Sequence, residues 1–154
     1  MNRTERALTY FKQGRNCAQS VFMAYCDLFG IPTEQGARLM AGMGGGMGGL
    51  RGKCGTVTAC ALLAGLRFGG YPAEDWESKK ELYARIREMD AAFCEKFGET
   101  QCKILLTRAK AIFSEIPAKR DESYYASRPC CKFVEGACEI VEQFLLGEET
   151  QKNI

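Results

Sequence analysis

A run of fourteen residues with eight glycines, 42–55 (GMGGGMGGLRGKCG), interrupts the chain near its first third. Glycine inside a helix or strand is unfavourable, because its backbone loses more conformational freedom on folding than that of any other residue. The run is therefore predicted to be a loop. The segment that follows it, TVTACALLAGLRFGG, is apolar on every side, which is typical of a helix buried at the centre of a domain.

Apolar residues elsewhere recur at steps of three and four, and no convincing segment alternates as a strand would. The sequence therefore predicts an all-α, compact single-domain bundle of about six or seven helices over 1–154. Residues 114–127 are predicted to form a polar connection, and 148–154 a frayed tail. Besides the apolar helix after the glycine run, the predicted helices cover 3–12, 17–29, 34–41, 73–97, 101–110 and 129–146.

Charge and composition exclude several classes of function. The net charge is only +2, with both signs interleaved, so no nucleic-acid partner is expected. The most apolar stretch, 57–68, is too short to span a bilayer, and no signal-peptide pattern is visible, so we expect no membrane insertion and a cytoplasmic location. Histidine is absent, which excludes Ser/His/Asp and Cys/His catalysis and every zinc site with a histidine ligand.

Nine cysteines in a chain expected to be cytoplasmic favour redox chemistry or metal binding over structural disulfides. Four of these positions fall at predicted helix starts, where partial positive charge and unpaired N–H groups lower the pKa of a thiol. Helix-start signals precede them: Asn16, the glycine run, Thr100, and Ser127 with Pro129. The four positions are Cys17, Cys54, Cys102, and one of the pair Cys130 and Cys131.

The other four cysteines fall within helix bodies, where a free thiol acts as a small buried apolar group. These are Cys26, Cys60, Cys94 and Cys138.

The glycine run fits no nucleotide-binding motif. Gly44, Gly46 and Gly49 satisfy G-x-G-x-x-G, but no strand precedes them, and Met47 and Cys54 break the P-loop pattern. Two interpretations stay open. The loop's N–H groups form an anion-binding nest beside Cys54, or the glycines let two helices approach closely. The candidate ligand-binding residues are Gly48, Gly49, Gly52, Lys53 and Gly55.

The residues also resemble a family of redox-type proteins named C_GCAxxG_C_C, with four cysteine elements and a CGAxxG-type motif. The matching segments are Asn16-Cys17-Ala18, the glycine-rich 44–55, Phe97-Gly98 with Cys102-Lys103-Ile104-Leu105-Leu106, and CCKFVEGACEIVEQFL from Cys130. In the motif beginning at Cys54, Thr56 replaces the alanine and Ala59 the last glycine. The resemblance implies four cysteines of redox character, with Cys130 matching better than Cys131, and genes often placed beside transporters.

Three hypotheses follow. The first is a cytoplasmic thiol-redox protein, a possible thiol-disulfide oxidoreductase, in which Cys54 attacks as a thiolate with its pKa lowered by the helix start and by Arg51 or Lys53. Its partner is a redox protein or a small-molecule electron carrier, and one of the other helix-start cysteines resolves the mixed disulfide.

The second is zinc, iron or an iron–sulfur cluster held by Cys17, Cys54, Cys102 and Cys130. The third is a non-enzymatic interaction module, associated with a transporter. For each, a homodimer is the expected assembly, since it is the commonest.

Overall fold

The computed structural model describes residues 1–147, and in this range the chain is all-α, as predicted. A single isolated bridge is the only β-type pairing in the described range. The helices are α1 Arg3–Lys12, α2 Cys17–Tyr25, α3 Thr33–Leu39, α4 Gly44–Met47, α5 Gly55–Phe68, α6 Trp76–Phe97, α7 Cys102–Arg108, α8 Glu122–Ser127 and α9 Cys130–Leu145.

These nine helices of residues 1–147 exceed the six or seven predicted, because two short ones lie in segments predicted to be loops. The glycine run contains α4, and the polar connection 114–127 contains α8. Helix α8 begins where the Asp121 side chain accepts a hydrogen bond from the Tyr124 N–H over 2.8 Å. Such local capping gives a short helix without the long apolar period that prediction depends on. The predicted frayed tail, 148–154, lies outside the described residues.

Other boundaries move by a few residues where a cap decides them. The predicted helix 17–29 leaves α-geometry after Tyr25 and finishes as a 3₁₀ turn, Cys26–Phe29. The long helix begins at Trp76 rather than residue 73, because the Asp75 side chain accepts a hydrogen bond from the Ser78 N–H over 3.1 Å. First and last turns are where side-chain capping competes with simple periodicity.

Helix α5 is the central helix, as the apolar segment predicted. It packs against α2, α6 and α9, and Leu63 and Ala64 are fully buried. One flank nevertheless faces solvent, with Leu62 and Leu66 exposed. Burial of large apolar side chains contributes roughly 1.5–3 kcal/mol each, so the buried side of α5 anchors the bundle.

The glycine run folds back on itself so tightly that side chains are excluded at particular points. Gly46 has φ +66°, and a Cβ there would lie 2.5 Å from the Gly52 nitrogen. Gly49 has φ +80°, and a Cβ there would collide with the Glu115 carbonyl oxygen. Only glycine adopts this backbone without steric cost, so the run brings Gly49 close to Glu115 and Arg51 close to Ser114.

A short antiparallel bridge between Lys53 and Gln101 joins the start of α5 to the start of α7. The Cys54 N–H donates to the Thr100 carbonyl over 2.8 Å, and the Cys102 N–H donates to the Gly52 carbonyl over 2.6 Å. Two cysteines far apart in sequence are thereby fixed beside each other. Among the described helices, none combines the length and the apolar character that crossing a membrane requires.

Candidate functional site

Four cysteines line one cavity of about 50 Å³, here called the thiol cavity. Each stands at a helix start, as predicted. Three are the first residues of α2, α7 and α9, and the fourth is the N-cap of α5. The structure therefore brings together Cys17, Cys54, Cys102 and Cys130.

The pair at the start of α9 is distinguished by position. Cys130 lines the thiol cavity, whereas Cys131 does not and packs against the hydrophobic core. Successive residues of a helix point about 100° apart, and at the start of α9 this turn directs Cys130 to the cavity and Cys131 away from it. Cys130 is the fourth member of the cluster.

Cys17 is held by a capped helix and a close glycine. Asn16 accepts a hydrogen bond from the Gln19 N–H over 2.8 Å, and the Gln19 side chain accepts one from the Asn16 N–H over 3.0 Å. A Cβ on Gly55 would lie only 2.7 Å from the Cys17 sulfur. Gly55 thus allows α2 and α5 to approach closely, which is the second of the two interpretations left open for the glycines.

Cys54 does not have the environment predicted for an attacking thiolate. Its side chain is buried, with Sγ 3.1 Å from the Thr56 hydroxyl oxygen. Burial raises the pKa of the Cys54 thiol, and the neighbouring Cys17 raises it further, while the Thr56 hydrogen bond opposes them. The prediction of a lowered pKa at Cys54 is wrong, because loss of hydration outweighs the helix start.

The thiols of Cys17 and Cys130 are also favoured in their protonated form. Burial is the main cause for both, and it raises the pKa of Cys130 to about 12. Negative charge on a neighbouring cysteine adds to the effect: the second cause is Cys102 for Cys17, and Cys17 for Cys130. These mutual effects mean that the sulfurs are near enough for one thiolate to oppose the next.

Cys102 has a different neighbour, the guanidinium of Arg51. Arg51 Nη1 donates to Cys102 Sγ over 3.7 Å. The same guanidinium donates through Nε and Nη2 to the Ser114 carbonyl over 3.0 and 2.6 Å, which fixes its orientation. A cationic hydrogen-bond donor stabilises the charged form of an acid. Cys102 is partly buried, as Cys17 and Cys130 are, and it is the cavity thiol to which a guanidinium donates a hydrogen bond.

The glycine amides predicted to form an anion-binding nest are already bonded inside the loop. The Gly48 N–H donates to the Gly42 carbonyl over 2.8 Å, and the Gly52 N–H donates to the Gly46 carbonyl over 2.9 Å. The Gly49 N–H likewise donates to the Gly44 carbonyl over 3.4 Å. The nest interpretation is therefore wrong for these three amides, because each donor has one proton to give.

Lys53 does not add positive charge beside Cys54, contrary to expectation. Its Nζ lies 2.6 Å from an Asp90 carboxylate oxygen and 2.8 Å from the Thr100 hydroxyl. Lys53 lines neither the thiol cavity nor a second cavity adjacent to it. Of the five predicted ligand-binding residues, Gly55 lines the thiol cavity, and Gly48 and Gly49 line the adjacent cavity.

Three side chains that close the thiol cavity were given no role from the sequence: Arg120, Tyr124 and Arg128. The guanidinium carbon of Arg120 lies 4.4 Å from the centre of the Tyr124 ring, and that of Arg128 lies 5.0 Å from the same ring. Cations bind to the faces of aromatic rings, so the three form one stacked group. The sequence signal was present only as two tyrosines flanked by arginines in a segment predicted to be a connection.

The cavity does not present a ready metal site. Throughout residues 1–147, no group of three or more cysteine or carboxylate side chains is close enough together to hold a metal ion. Tetrahedral ligation requires four sulfur atoms around one point. The thiols line a common cavity, but they do not form such a group. Ligation by Cys17, Cys54, Cys102 and Cys130 stays a prediction.

The cysteines outside the cavity are mostly core residues. Cys26, Cys60 and Cys138 are buried, as predicted. Cys94 is exposed, so the prediction of a buried position is wrong for that residue. It lies on α6 directly after the buried Phe93, and the turn of about 100° from one residue to the next places it on the solvent side.

Comparison with known proteins gives one match. A family model described as "Putative redox-active protein (C_GCAxxG_C_C)" matches residues 15–144, a range that contains all four cavity cysteines. No curated protein and no solved structure matches the chain. Because the family model spans most of the sequence and its cysteine elements meet at one cavity, the chain belongs to the C_GCAxxG_C_C family.

Proposed function

We propose that this protein carries out thiol–disulfide exchange in the thiol cavity, with Cys102 as the attacking thiolate. The observation that carries the proposal is the contact between Arg51 Nη1 and Cys102 Sγ, in a cavity lined by three further cysteines. Nucleophilic attack needs a thiolate, and a neighbouring cation favours one. This assignment replaces Cys54, whose buried thiol has a raised pKa.

The first step forms a mixed disulfide. The Cys102 thiolate attacks one sulfur of a substrate disulfide, R–S–S–R. The substrate S–S bond breaks, a bond forms between Cys102 and one RS group, and the other leaves as RS⁻, which takes up a proton. The leaving thiolate is thereby converted to a free thiol, RSH.

The second step resolves the mixed disulfide through Cys17. Cys17 loses its proton to solvent and attacks Cys102 Sγ. The bond between Cys102 and the substrate sulfur breaks, a Cys17–Cys102 disulfide forms, and the second RS⁻ leaves and takes up a proton. Two electrons have then passed from the protein to the substrate. A dithiol reductant returns the protein to its starting state by two further exchanges.

The electrostatics of the cavity support this order. A negative charge on Cys102 is the second cause, after burial, of the raised pKa of Cys17. Once Cys102 is in a mixed disulfide, that charge is absent and Cys17 ionises more readily. The Gly45 N–H also donates a hydrogen bond that lowers the Cys17 pKa. Formation of the mixed disulfide thus activates the resolving thiol.

The reductant in this proposal is a dithiol protein or a small-molecule electron carrier. The reaction takes place in the cytoplasm, where thiols are kept reduced. This matches the description of the family as redox-active.

Cysteine substitutions test the assignment. The reduced protein is mixed with bis(hydroxyethyl) disulfide, quenched with acid, and its disulfides are mapped by mass spectrometry. The expected result is a Cys17–Cys102 disulfide in the wild type and a mixed disulfide trapped on Cys102 in the Cys17→Ser variant. Cys94→Ser, which removes an exposed thiol outside the cavity, is the matched control and should react as the wild type does. A Cys102→Ser variant that reacts at the wild-type rate would rule out Cys102 as the nucleophile.

A further inference from the structure

A second cavity, of about 410 Å³, adjoins the thiol cavity, and we call it the arginine cavity. Its volume lies within the range of roughly 300–1,000 Å³ found for small-molecule sites. The two cavities share a wall, so a ligand in the second contacts residues that also enclose the thiols. The shared residues are Asn16, Gly45, Arg51, Arg120, Tyr124 and Arg128.

The shared wall concentrates positive charge. It contains Arg51, Arg120 and Arg128, whereas Glu115 is the one acidic residue lining either cavity. Within the described part of the chain, none of these three arginines forms an ion pair. Arginine side chains only donate hydrogen bonds. The wall is therefore a set of cationic donors without a carboxylate partner in residues 1–147.

Arg120 shows most directly that an acceptor is missing. Its guanidinium carbon lies 4.4 Å from the Tyr124 ring centre and 4.6 Å from the Phe11 ring centre. Its Nη1 is buried and has no hydrogen-bond partner among residues 1–147. A buried donor left unpaired destabilises the folded protein, and more so when the group is charged. Arg120 is thus a cation on the shared wall that has an unused donor and no carboxylate partner among residues 1–147.

The other two arginines connect the shared wall to the reacting thiol. Arg128 Nη2 donates to the Ile112 carbonyl over 2.9 Å, which holds its guanidinium across the connection between α7 and α8. Arg51 contacts Cys102 and lines both cavities. A ligand anion on this wall therefore places the atoms attached to it close to the Cys102 sulfur.

We infer that the arginine cavity binds the carboxylate of a small anionic disulfide and presents its sulfur to Cys102. The disulfide part of this inference rests on the proposed exchange reaction, whereas the anion site rests on the arginines themselves. Guanidinium groups match carboxylates through paired, charge-assisted hydrogen bonds. Disulfides derived from cysteine carry a carboxylate close to each sulfur, which fits a wall where one arginine touches both the cavity and the nucleophile.

Three disulfides that differ in charge test the substrate class. The reduced protein is mixed with dithiodipropionate (an anion), bis(hydroxyethyl) disulfide (neutral) or cystamine (a cation), and rates are compared at low and high ionic strength. Expected rates fall in that order, and added salt narrows the differences, because screening weakens the field of the arginines. Equal rates for all three overturn the inference alone. Failure of every disulfide to react contradicts the proposed function as well.

Arginine variants test whether the preference for an anionic disulfide comes from the shared wall. Arg120→Gln should lower the ratio of the rate with dithiodipropionate to the rate with the neutral disulfide roughly tenfold, the scale of an electrostatic effect on encounter. Arg120→Lys, which keeps the charge without the paired geometry, should lie between. Arg87→Gln, at an exposed position on α6 outside both cavities, is the matched control. Unchanged anion preference in a folded Arg120→Gln variant, with helicity checked by circular dichroism, overturns the inference.

A binding measurement separates the anion site from the reaction. Adipate resembles dithiodipropionate but contains no sulfur, so calorimetry of the reduced protein reports binding alone. Binding is expected, and Arg120→Gln should weaken it about tenfold, the free-energy equivalent of one charge-assisted hydrogen bond. Absence of adipate binding overturns the inference, and so does tight binding of inorganic phosphate in its place, because the ligand class would then be different.

Discussion

Arg51 and Cys102 are joined by a hydrogen bond of 3.7 Å from Nη1 to Sγ, while the Ser114 carbonyl holds the other side of the same guanidinium. Arg51 itself has φ +60°, a backbone conformation that L-residues adopt rarely. The Arg51 N–H donates to the Gly45 carbonyl over 2.9 Å, which holds the backbone in this conformation. The glycine run therefore places the guanidinium of Arg51 against Cys102, one of the four cavity cysteines.

Replacing Arg51 with glutamine should slow alkylation of Cys102 at neutral pH by roughly threefold to tenfold, because hydrogen bonds to charged groups contribute about 1.5–3 kcal/mol when buried and less when partly exposed. Iodoacetamide labelling followed by mass spectrometry measures the rate for each cysteine. Arg51→Lys should recover part of the rate. An Arg51→Gln variant with unaltered Cys102 labelling would show that this contact does not activate the thiol.

Gly55→Ala should destabilise the fold by about 1–3 kcal/mol, the usual cost of overpacking. The added Cβ would lie 2.7 Å from the Cys17 sulfur and 2.9 Å from the Met43 carbonyl oxygen. Gly65→Ala is the matched control on the same helix, since nothing lies within 4 Å of its Cβ position. There alanine should stabilise by about 0.5–1 kcal/mol. Urea unfolding of both variants measures the difference, and equal effects would contradict the close approach of Cys17 to Gly55.

The capping residue Asn16 should influence both stability and the position of Cys17. Asn16→Ala removes a capping box at the start of α2 and should cost about 1 kcal/mol. Asn2→Ala removes the same kind of box at the start of α1, away from the cavity, and should cost a similar amount. Only Asn16→Ala is expected to change the alkylation rate of Cys17. If both variants change it, the effect comes from general loosening of the bundle.

The pH dependence of stability should reflect the buried thiol of Cys130. Burial raises its pKa from 9.0 to about 12, so above pH 9 the unfolded chain loses a proton that the folded protein retains. Its contribution to stability is full below pH 9 and is lost as the pH rises toward about 12. Urea unfolding under reducing conditions should therefore show a smaller loss of stability across this window in Cys130→Ser than in the wild type. Parallel curves would contradict the buried position of that thiol.

Features that depend on residues close together in the sequence were predicted correctly, provided that the segment was long enough to show a pattern. Helix α1 begins and ends where predicted, because Asn2 and Glu5 form a local capping box. Cys17 and Cys102 were correctly assigned to helix starts. Helix α8 was missed because six residues are too few to show a helical period.

The ionisation of Cys54 was predicted wrongly, because it depends on residues that are distant in the sequence. Its position at a helix start was visible in the sequence, but its burial was not, and burial decides the direction of its pKa shift. The same holds for Lys53, whose ion pair with Asp90 on α6 turns it away from the thiols. Both outcomes depend on residues distant in the chain.

The sequence by itself determined the helical class, the helix starts that carry the four cysteines, and a glycine run with the backbone freedom that tight turns require. These follow from interactions within a few residues: apolar period, capping and backbone freedom. Only the tertiary structure decided which sulfur meets a guanidinium, which thiols lose their water, and that Arg120 and Arg128 close the cavity. Charge and hydration act through space, and distances through space are set by how helices pack rather than by how residues are spaced.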